Sequence, residues 1–341
     1  MTAAGAFVEG VRRANRAPIV LLGLCAMTLL VALPLSLALH GMIEAHLGSS
    51  LEAEAVAAAT NYEWWQEFMA QATGLGTTLT PSMTGFGAVL DNLSALLDNT
   101  PLAATIGGVT AAWMVLWSFL SGGVIDRLAR VRRTRAHGFF SACGVHFWRF
   151  LRIGALAWAC YAVLFGWVHG WIFDRVYGWL IHDVTVERTA FLYRAAGYTV
   201  FGLLLLFINV IFDYARIRTV VEDRRSSVGA VAAGARFVGR HGGRVATLYA
   251  VNGLAFIVLI GLYAALAPGA PRSGAGLWFT LLLGQTFIVG RHYLKLVFYA
   301  SQTALFQGVL AHAGYTASPA VAWPDSPDAE SISHGEPLRL P

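Results

Sequence analysis

Asp126-Arg127-Leu128-Ala129-Arg130-Val131-Arg132-Arg133-Thr134-Arg135 holds five arginines, whereas residues 17–125 before it hold no lysine or arginine. Membrane proteins gather basic residues in their cytoplasmic loops and keep the opposite loops poor in them. This change comes at the end of a long apolar segment. It therefore predicts a chain that crosses a membrane and emerges on the cytoplasmic side near residue 126.

The composition predicts the same class of protein. Hydrophobic residues make up 57% of the chain and charged residues 13%, whereas a soluble domain has about 25% charged residues. The net charge of +5 comes from arginines gathered in a few loops, which do not form a continuous basic face for nucleic acid. We therefore expect an integral membrane protein without a nucleic-acid partner.

Six segments have the roughly 20 apolar residues that a helix needs to cross a bilayer. The predicted fold class is thus all-α, a polytopic membrane protein with six transmembrane helices. The first apolar run exceeds the ~7–15-residue core of a signal peptide, so we expect it to remain as a span. The six segments are residues 17–39, 102–124, 151–173, 195–213, 245–267 and 276–298.

The distribution of basic residues predicts the orientation. Three arginines precede the first span, and seven lie in each of the two loops on the same side, Arg127 to Arg152 and Arg216 to Arg244. The opposite loops hold none between residues 40 and 101, then three, then one. Seventeen against four places both termini in the cytoplasm, and we expect a bacterial inner (plasma) membrane.

The external side should carry a small helical cap at residues 40–101. This region has seven acidic residues and no basic ones. Its composition predicts one helix from Ser50 to Ala72, and its apolar periodicity predicts a second short helix from Phe86 to Leu97. We take residues 1–313 as the membrane domain and residues 314–341, rich in Pro, Ser and acidic residues, as a disordered cytoplasmic tail.

The two large cytoplasmic loops, residues 125–150 and 214–244, share one design. Val124-Ile125-Asp126-Arg127-Leu128-Ala129-Arg130-Val131 is similar to Ile211-Phe212-Asp213-Tyr214-Ala215-Arg216-Ile217, and an amphipathic segment follows each. Such segments are typical of helices that lie at the headgroup boundary. A weaker echo at Ile288 to Lys295 suggests three related helical hairpins.

A resemblance to a known family also enters here. The six spans, with Asp213-Tyr214-Ala215-Arg216 and then Val220-Val221-Glu222-Asp223-Arg224, resemble poorly characterised bacterial six-span membrane proteins. These include the membrane domain associated with glycerophosphodiester phosphodiesterases. The resemblance covers mainly residues 195–260, which include no phosphodiesterase motif. It implies a multi-pass membrane domain and carries no activity to this chain.

Two cations inside the last span form the core of a candidate site. Arg291 and Lys295 are four residues apart on one helix face, and intramembrane cations turn toward a partner or a watery cavity. We expect an anion or lipid-headgroup site there, with Asp126 and Asp213 as counter-ions and Arg216 beside them. The alternative is that the two side chains extend to the cytoplasmic headgroups and pair structurally with the aspartates.

These features lead to two functional hypotheses. The first is a non-enzymatic membrane protein that binds or moves a lipid or small anion, with anionic membrane lipids as its partners. The second is a non-catalytic scaffold that docks a protein partner through the cap and the cytoplasmic loops. We expect no enzymatic activity, catalytic residues, cofactor or metal, since no nucleophile motif occurs and His40, Glu44 and His46 lack further ligands nearby.

Overall fold

The chain folds into a bundle of long helices. The computed structural model describes residues 1–48, 50–58, 61–80, 87–100, 104–130, 135–267 and 274–310, and all regular secondary structure in these ranges is helical. The helices are α1 (Ala3–Asn15), α2 (Pro18–Leu47), α3 (Ala53–Ala58), α4 (Tyr62–Gln71), α5 (Gly87–Leu97), α6 (Ala104–Arg130), α7 (Ala136–Val163), α8 (Tyr177–Ile181), α9 (Glu187–Val221), α10 (Ser227–Leu266) and α11 (Ala275–Val309).

The all-α class is confirmed for the described residues, and several of these helices are compatible with a multi-pass membrane protein. Helix α11 is 35 residues long, but Arg291, His292 and Lys295 interrupt its apolar sequence. It is not among the helices that are both long and apolar enough to cross a membrane, so the sixth span stays a prediction. Within the described ranges five helical stretches are long and apolar enough: Pro18–Leu47, Ile106–Arg130, Ala136–Ile181, Glu187–Val221 and Ser227–Leu266.

The two amphipathic loop segments are helical, and each continues into the span that follows. One helical stretch runs over 46 residues from Ala136 to Ile181, with π-helical turns at Leu164–Val168 and Trp171–Val176. Helix α10 contains both the segment after Ser226 and the next span, with a kink at His241 (φ −121°, ψ 24°). The described residues of these loops are therefore mostly helical, and the helices extend beyond the predicted spans.

Neighbouring helices cover much of the apolar face of these segments. Cys143 and Phe150 of α7 and Val238 of α10 are buried in the protein, whereas Phe140 and Val228 remain exposed. We had expected whole apolar faces to rest on lipid headgroups. Instead, the extended ends of α6 and α9 provide a protein surface against which they pack.

The main hydrophobic core lies at one end of the bundle, which we call the basic end. It is the end where α6 and α9 finish and α7 and α10 begin, and it carries the arginine-rich segments. The opposite ends of these helices are largely exposed, as expected for surfaces that face lipid. The fully buried side chains of this core include Ile125, Leu128, Phe150, Ile153, Tyr214, Ile217, Leu248, Leu296, Leu305 and Phe306.

Two helix pairs at the basic end cross closely at glycines. A Cβ on Gly123 of α6 would lie 2.9 Å from the Phe139 carbonyl oxygen of α7. A Cβ on Gly234 of α10 would lie 2.9 Å from the Ile211 carbonyl oxygen and 3.0 Å from the Ala215 nitrogen of α9. In both pairs the backbones approach because the glycine has no side chain.

The third pair joins the two ends of the chain. Helix α11 packs against α1, where a Cβ on Gly10 would lie 2.8 Å from the Ser301 nitrogen. Arg13 reinforces the contact by donating to the Leu128 carbonyl oxygen at 3.2 Å and to Gln307 Oε1 at 2.8 Å. The sequence similarity noted at Ile288 to Lys295 does not mark this crossing, which lies further along α11 at Ser301. The partner of α11 is α1, at the N-terminal side of the chain, rather than a helix that follows it.

The acidic region between α2 and α6 is only partly as predicted. The helix expected from Ser50 to Ala72 is divided, because α4 starts anew with Asn61 as its N-cap, accepting from the Trp64 nitrogen at 3.1 Å. Trp64 also donates to His46 Nδ1 at 3.1 Å, which fixes α4 on the end of α2. The second predicted helix is present as α5, although residue 86 lies outside the described residues.

The chain just after α5 is tied to α9 and to the π-helical turn Leu164–Val168 that follows α7. The Tyr198 hydroxyl of α9 donates to the Asp98 carboxylate, and Asn99 donates to the Phe165 carbonyl oxygen at 3.1 Å. The hydrogen bond from Tyr198, together with a weaker contribution from Ser94, holds the pKa of Asp98 below its usual value. These contacts anchor one end of α5, whose Leu90, Leu93 and Leu96 are half exposed.

The crossing of α9 and α10 provides a test of the fold. Gly234→Ala should lower the free energy of unfolding by about 1–3 kcal/mol, because the added methyl meets backbone atoms that cannot rotate away. Gly239→Ala on the same helix meets nothing within 4 Å and should be neutral or stabilise by up to about 1 kcal/mol. Thermal unfolding in detergent, followed by loss of monodisperse protein, would compare the two; equal midpoints would contradict the close crossing.

Candidate functional site

A buried carboxylate, Asp213, lies at the centre of the candidate site. It belongs to the last turns of α9 and is 5% exposed. Its Oδ2 accepts hydrogen bonds from the Tyr249 hydroxyl of α10 at 2.6 Å and from Asn209 Nδ2 at 3.3 Å. Burying an acidic side chain costs free energy unless the side chain is paired. The two hydrogen-bond donors offset part of this cost for Asp213.

Gln302 of α11 completes this network. Its Nε2 donates to the Tyr249 hydroxyl at 2.8 Å and to Asp213 Oδ2 at 3.4 Å. The side chain is fully buried, and its Oε1 has no hydrogen-bond partner among the described residues. Helices α9, α10 and α11 therefore meet at one polar point inside an otherwise apolar core.

Two cations lie beside the carboxylate. Arg216, one turn after Asp213 on α9, places Nη1 3.6 Å from Asp213 Oδ1, and its side chain is 22% exposed. Lys295 of α11 places Nζ 3.5 Å from the centre of the Trp117 ring of α6, a cation–π contact. Within the described part of the chain, no carboxylate oxygen lies within 4.0 Å of Lys295 Nζ.

Aromatic hydroxyl groups surround these charges. Tyr299 of α11 is buried, and the centre of its ring lies 6.0 Å from that of Trp117. Tyr161 of α7 lies within electrostatic range of Asp213 and Arg216. The cluster thus contains two cations, one carboxylate and several hydroxyl groups. The carboxylate pairs with Arg216, and Lys295 has no ion pair within 4.0 Å among the described residues.

The structure separates the five residues of the predicted site. Asp213, Arg216 and Lys295 come together, as described above. Asp126 is also buried, but its Oδ1 pairs with Arg130 Nε at 2.8 Å on its own helix. Arg291 is exposed, and its guanidinium carbon lies 6.0 Å from the Phe287 ring. We restrict the candidate site to the first three residues and call them the Asp213 cluster.

The chemistry of the Asp213 cluster suits an anion better than a cation. The Lys295 ammonium has three donors and the Arg216 guanidinium five, whereas the Asp213 carboxylate already accepts three hydrogen bonds through one oxygen. A metal ion would meet positive charge there. Elsewhere in the described ranges, no group of three His, Cys, Asp or Glu side chains could hold a metal ion.

Sequence reasoning missed Tyr249 and Gln302. They lie 36 and 89 positions from Asp213, and single polar residues in long helices carry no local signal of what they contact. Asn252 of α10 forms a further hydrogen bond to α11, since it donates to Ser301 Oγ at 3.1 Å. The signal that could have indicated these residues is an apolar helix with several amide and tyrosine side chains near its basic end.

The hydrogen bond from Tyr249 provides a test of the network. Tyr249→Phe should lower the free energy of unfolding by about 1–3 kcal/mol, because Asp213 and Gln302 both lose a buried partner. Tyr193→Phe on α9, where the tyrosine is 38% exposed, serves as the matched control and should change stability little. Thermal melting of the detergent-solubilised variants would measure both; an unchanged midpoint for Tyr249→Phe would contradict the network.

Comparisons with known proteins provide no relative for this chain. No protein-family model matches it, and no curated protein or solved structure does so either. The resemblance to the membrane domain associated with glycerophosphodiester phosphodiesterases therefore stays a prediction. The function must be inferred from the residues of the Asp213 cluster themselves.

Proposed function

We propose that this protein is a non-enzymatic multi-pass membrane protein that binds an anionic group, a lipid headgroup or a small anion, at the Asp213 cluster. The observation that carries the proposal is an excess of positive charge, since the cluster holds two cations and one carboxylate. Arg216 pairs with Asp213 at 3.6 Å, while Lys295 rests on the Trp117 ring. An anion beside these cations would supply the missing negative charge.

The position of the cluster along the helices supports a ligand from the membrane. Asp213 lies at the end of the apolar part of α9, where the arginine-rich segment begins. Lys295 lies on α11 just before its buried segment from Leu296 to Phe306. A cationic group at the border between an apolar slab and a basic end lies at the depth of lipid phosphates.

The proposed arrangement in the membrane follows from the distribution of arginines. We place the basic end in the cytoplasm, with both termini on that side and with α11 as a sixth span of a bacterial inner-membrane protein. Helices α3 to α5, in the acidic region, then form an external cap. Alkaline phosphatase fused at the loop after Ile181 should be active, because we place this loop outside, and fused at the turn after Val221 it should be inactive. The reverse pattern of activity would contradict the arrangement.

Binding of anionic lipid tests the function itself. Lys295→Gln and Arg216→Gln should each weaken binding of phosphatidylglycerol by about tenfold or more, a loss of ~1.4 kcal/mol, because each removes one of the two cations. The protein would be reconstituted in phosphatidylcholine nanodiscs that contain increasing phosphatidylglycerol. Native mass spectrometry of the released protein would count the bound lipids.

Arg240→Gln serves as the matched control for these variants. Arg240 is an exposed arginine of α10, so its loss removes the same charge from the basic end without touching the cluster. Equal weakening by all three variants would indicate only general attraction to an anionic surface, and no weakening by any would exclude the proposed site.

A scaffold is the second candidate function, and the outer side of α5 favours it. Leu90, Leu93 and Leu96 lie on this helix with about half of their surface exposed, although the chain after it is anchored to α9 and to the π-helical turn that follows α7. An anchored helix with an uncovered apolar face could dock a protein partner. Loss of a stable partner after substitution of these leucines by serine would support this candidate.

A further inference from the structure

We infer that the Asp213 cluster selects a singly charged phosphodiester, as in a phospholipid headgroup, over a doubly charged phosphomonoester. The inference rests on the proposed function and specifies the ligand class of the same site. It follows from the charges within the cluster and from their burial. The cluster would distinguish ligands by their charge rather than by their size.

The charge count of the cluster is +1. Arg216 and Lys295 contribute two positive charges, and Asp213 contributes one negative charge. The next cation, Arg291, lies on the exposed surface beside Phe287. The next buried carboxylate, Asp126, is paired with Arg130. Because Arg291 lies at the exposed surface and Arg130 neutralises Asp126, we count only the three charges of the cluster. A monoanion then makes the site neutral, whereas a dianion leaves it at −1.

Burial turns this difference into selectivity. The cost of moving an ion from water into a medium of low dielectric constant rises with the square of its charge, whereas its attraction to a fixed charge rises only in proportion. Asp213 is 5% exposed, and the Arg216 side chain is only 22% exposed. The second charge of a phosphomonoester therefore costs more in dehydration than it gains from the cluster.

The carboxylate that sets this count cannot easily leave. Asp213 Oδ2 accepts hydrogen bonds from Tyr249, Asn209 and Gln302, which belong to two other helices as well as its own. A dianion cannot make room for its second charge by displacing Asp213. The Lys295 ammonium, by contrast, has one side against Trp117, which leaves N–H donors on the other side for a phosphate oxygen.

Competition between two lipids tests the inference. The wild-type protein in phosphatidylcholine nanodiscs would be titrated at pH 7 with phosphatidylglycerol, a monoanionic phosphodiester, or with phosphatidic acid, a phosphomonoester that is largely dianionic there. We expect phosphatidylglycerol to bind at least about fivefold more tightly. Soluble dimethyl phosphate, added as competitor, distinguishes the source: displacement of phosphatidylglycerol indicates recognition of any phosphodiester, and no displacement indicates a lipid.

A change in the charge of the cluster should reverse the preference. Asp213→Asn raises the count to +2 and should shift the ratio of affinities toward phosphatidic acid by about tenfold, whereas Arg240→Gln should leave the ratio unchanged. Lys295→Gln lowers the count to zero and should weaken both lipids. If Asp213→Asn does not fold, the wild-type ratio and Lys295→Gln still decide the question.

Two contrary results have different meanings. Tighter wild-type binding of phosphatidic acid, with both lipids dependent on Lys295, would overturn the charge selection and leave the proposed function standing. Binding of neither lipid above the phosphatidylcholine background, or binding that Lys295→Gln does not weaken, would overturn the proposed function and this inference together. A folded Asp213→Asn protein with the wild-type ratio would also overturn the inference.

Discussion

The close approach of helix backbones at the basic end is the constraint on which the rest of the structure depends. Three crossings, at Gly123, Gly234 and Gly10, bring paired helices together at distances that leave no space for a side chain. In a bilayer, lipid tails are as apolar as leucine, so close packing rather than hydrophobic burial holds helices together. Here the packing is concentrated beyond the apolar middle of the helices, and their opposite ends are left largely exposed.

The crossing of α9 and α10 also determines the geometry of the candidate site. Gly234 packs against Ile211 and Ala215, and Asp213 lies between these two residues on α9. The contact that joins the helices therefore fixes the rotation of α9 and directs Asp213 toward Tyr249 and Gln302. Fold and polar network depend on each other, because a helix rotated by even one residue would bury the charge without these donors.

The sequence predicted what composition and charge can encode. Apolar length indicated the long helices α2, α6, α7, α9 and α10, and the arginine clusters indicated which ends of α6 and α9 belong together. It did not predict that α1 packs as a core helix, because its buried face consists of Ala3, Ala6, Gly10 and Ala14, small residues that give almost no hydrophobic signal. At the candidate site, the charged residues were found and the neutral partners were not, since Tyr249 and Gln302 are recognisable only through contacts between distant segments.

The pairing of α1 with α11 has a consequence for the order of assembly. During synthesis α1 is the first and α11 the last of the described helices to be made. The small-residue face of α1 therefore lacks α11 until almost all of the described chain has been inserted. Contacts between such distant segments are slow to form, because the intervening chain must be ordered first. The α1–α11 contact then acts as a completion step, because Arg13 reaches Gln307 only after α11, the last of the described helices, has been made. A prematurely terminated chain would carry an unoccupied α1, a feature that quality-control proteases of the membrane could recognise.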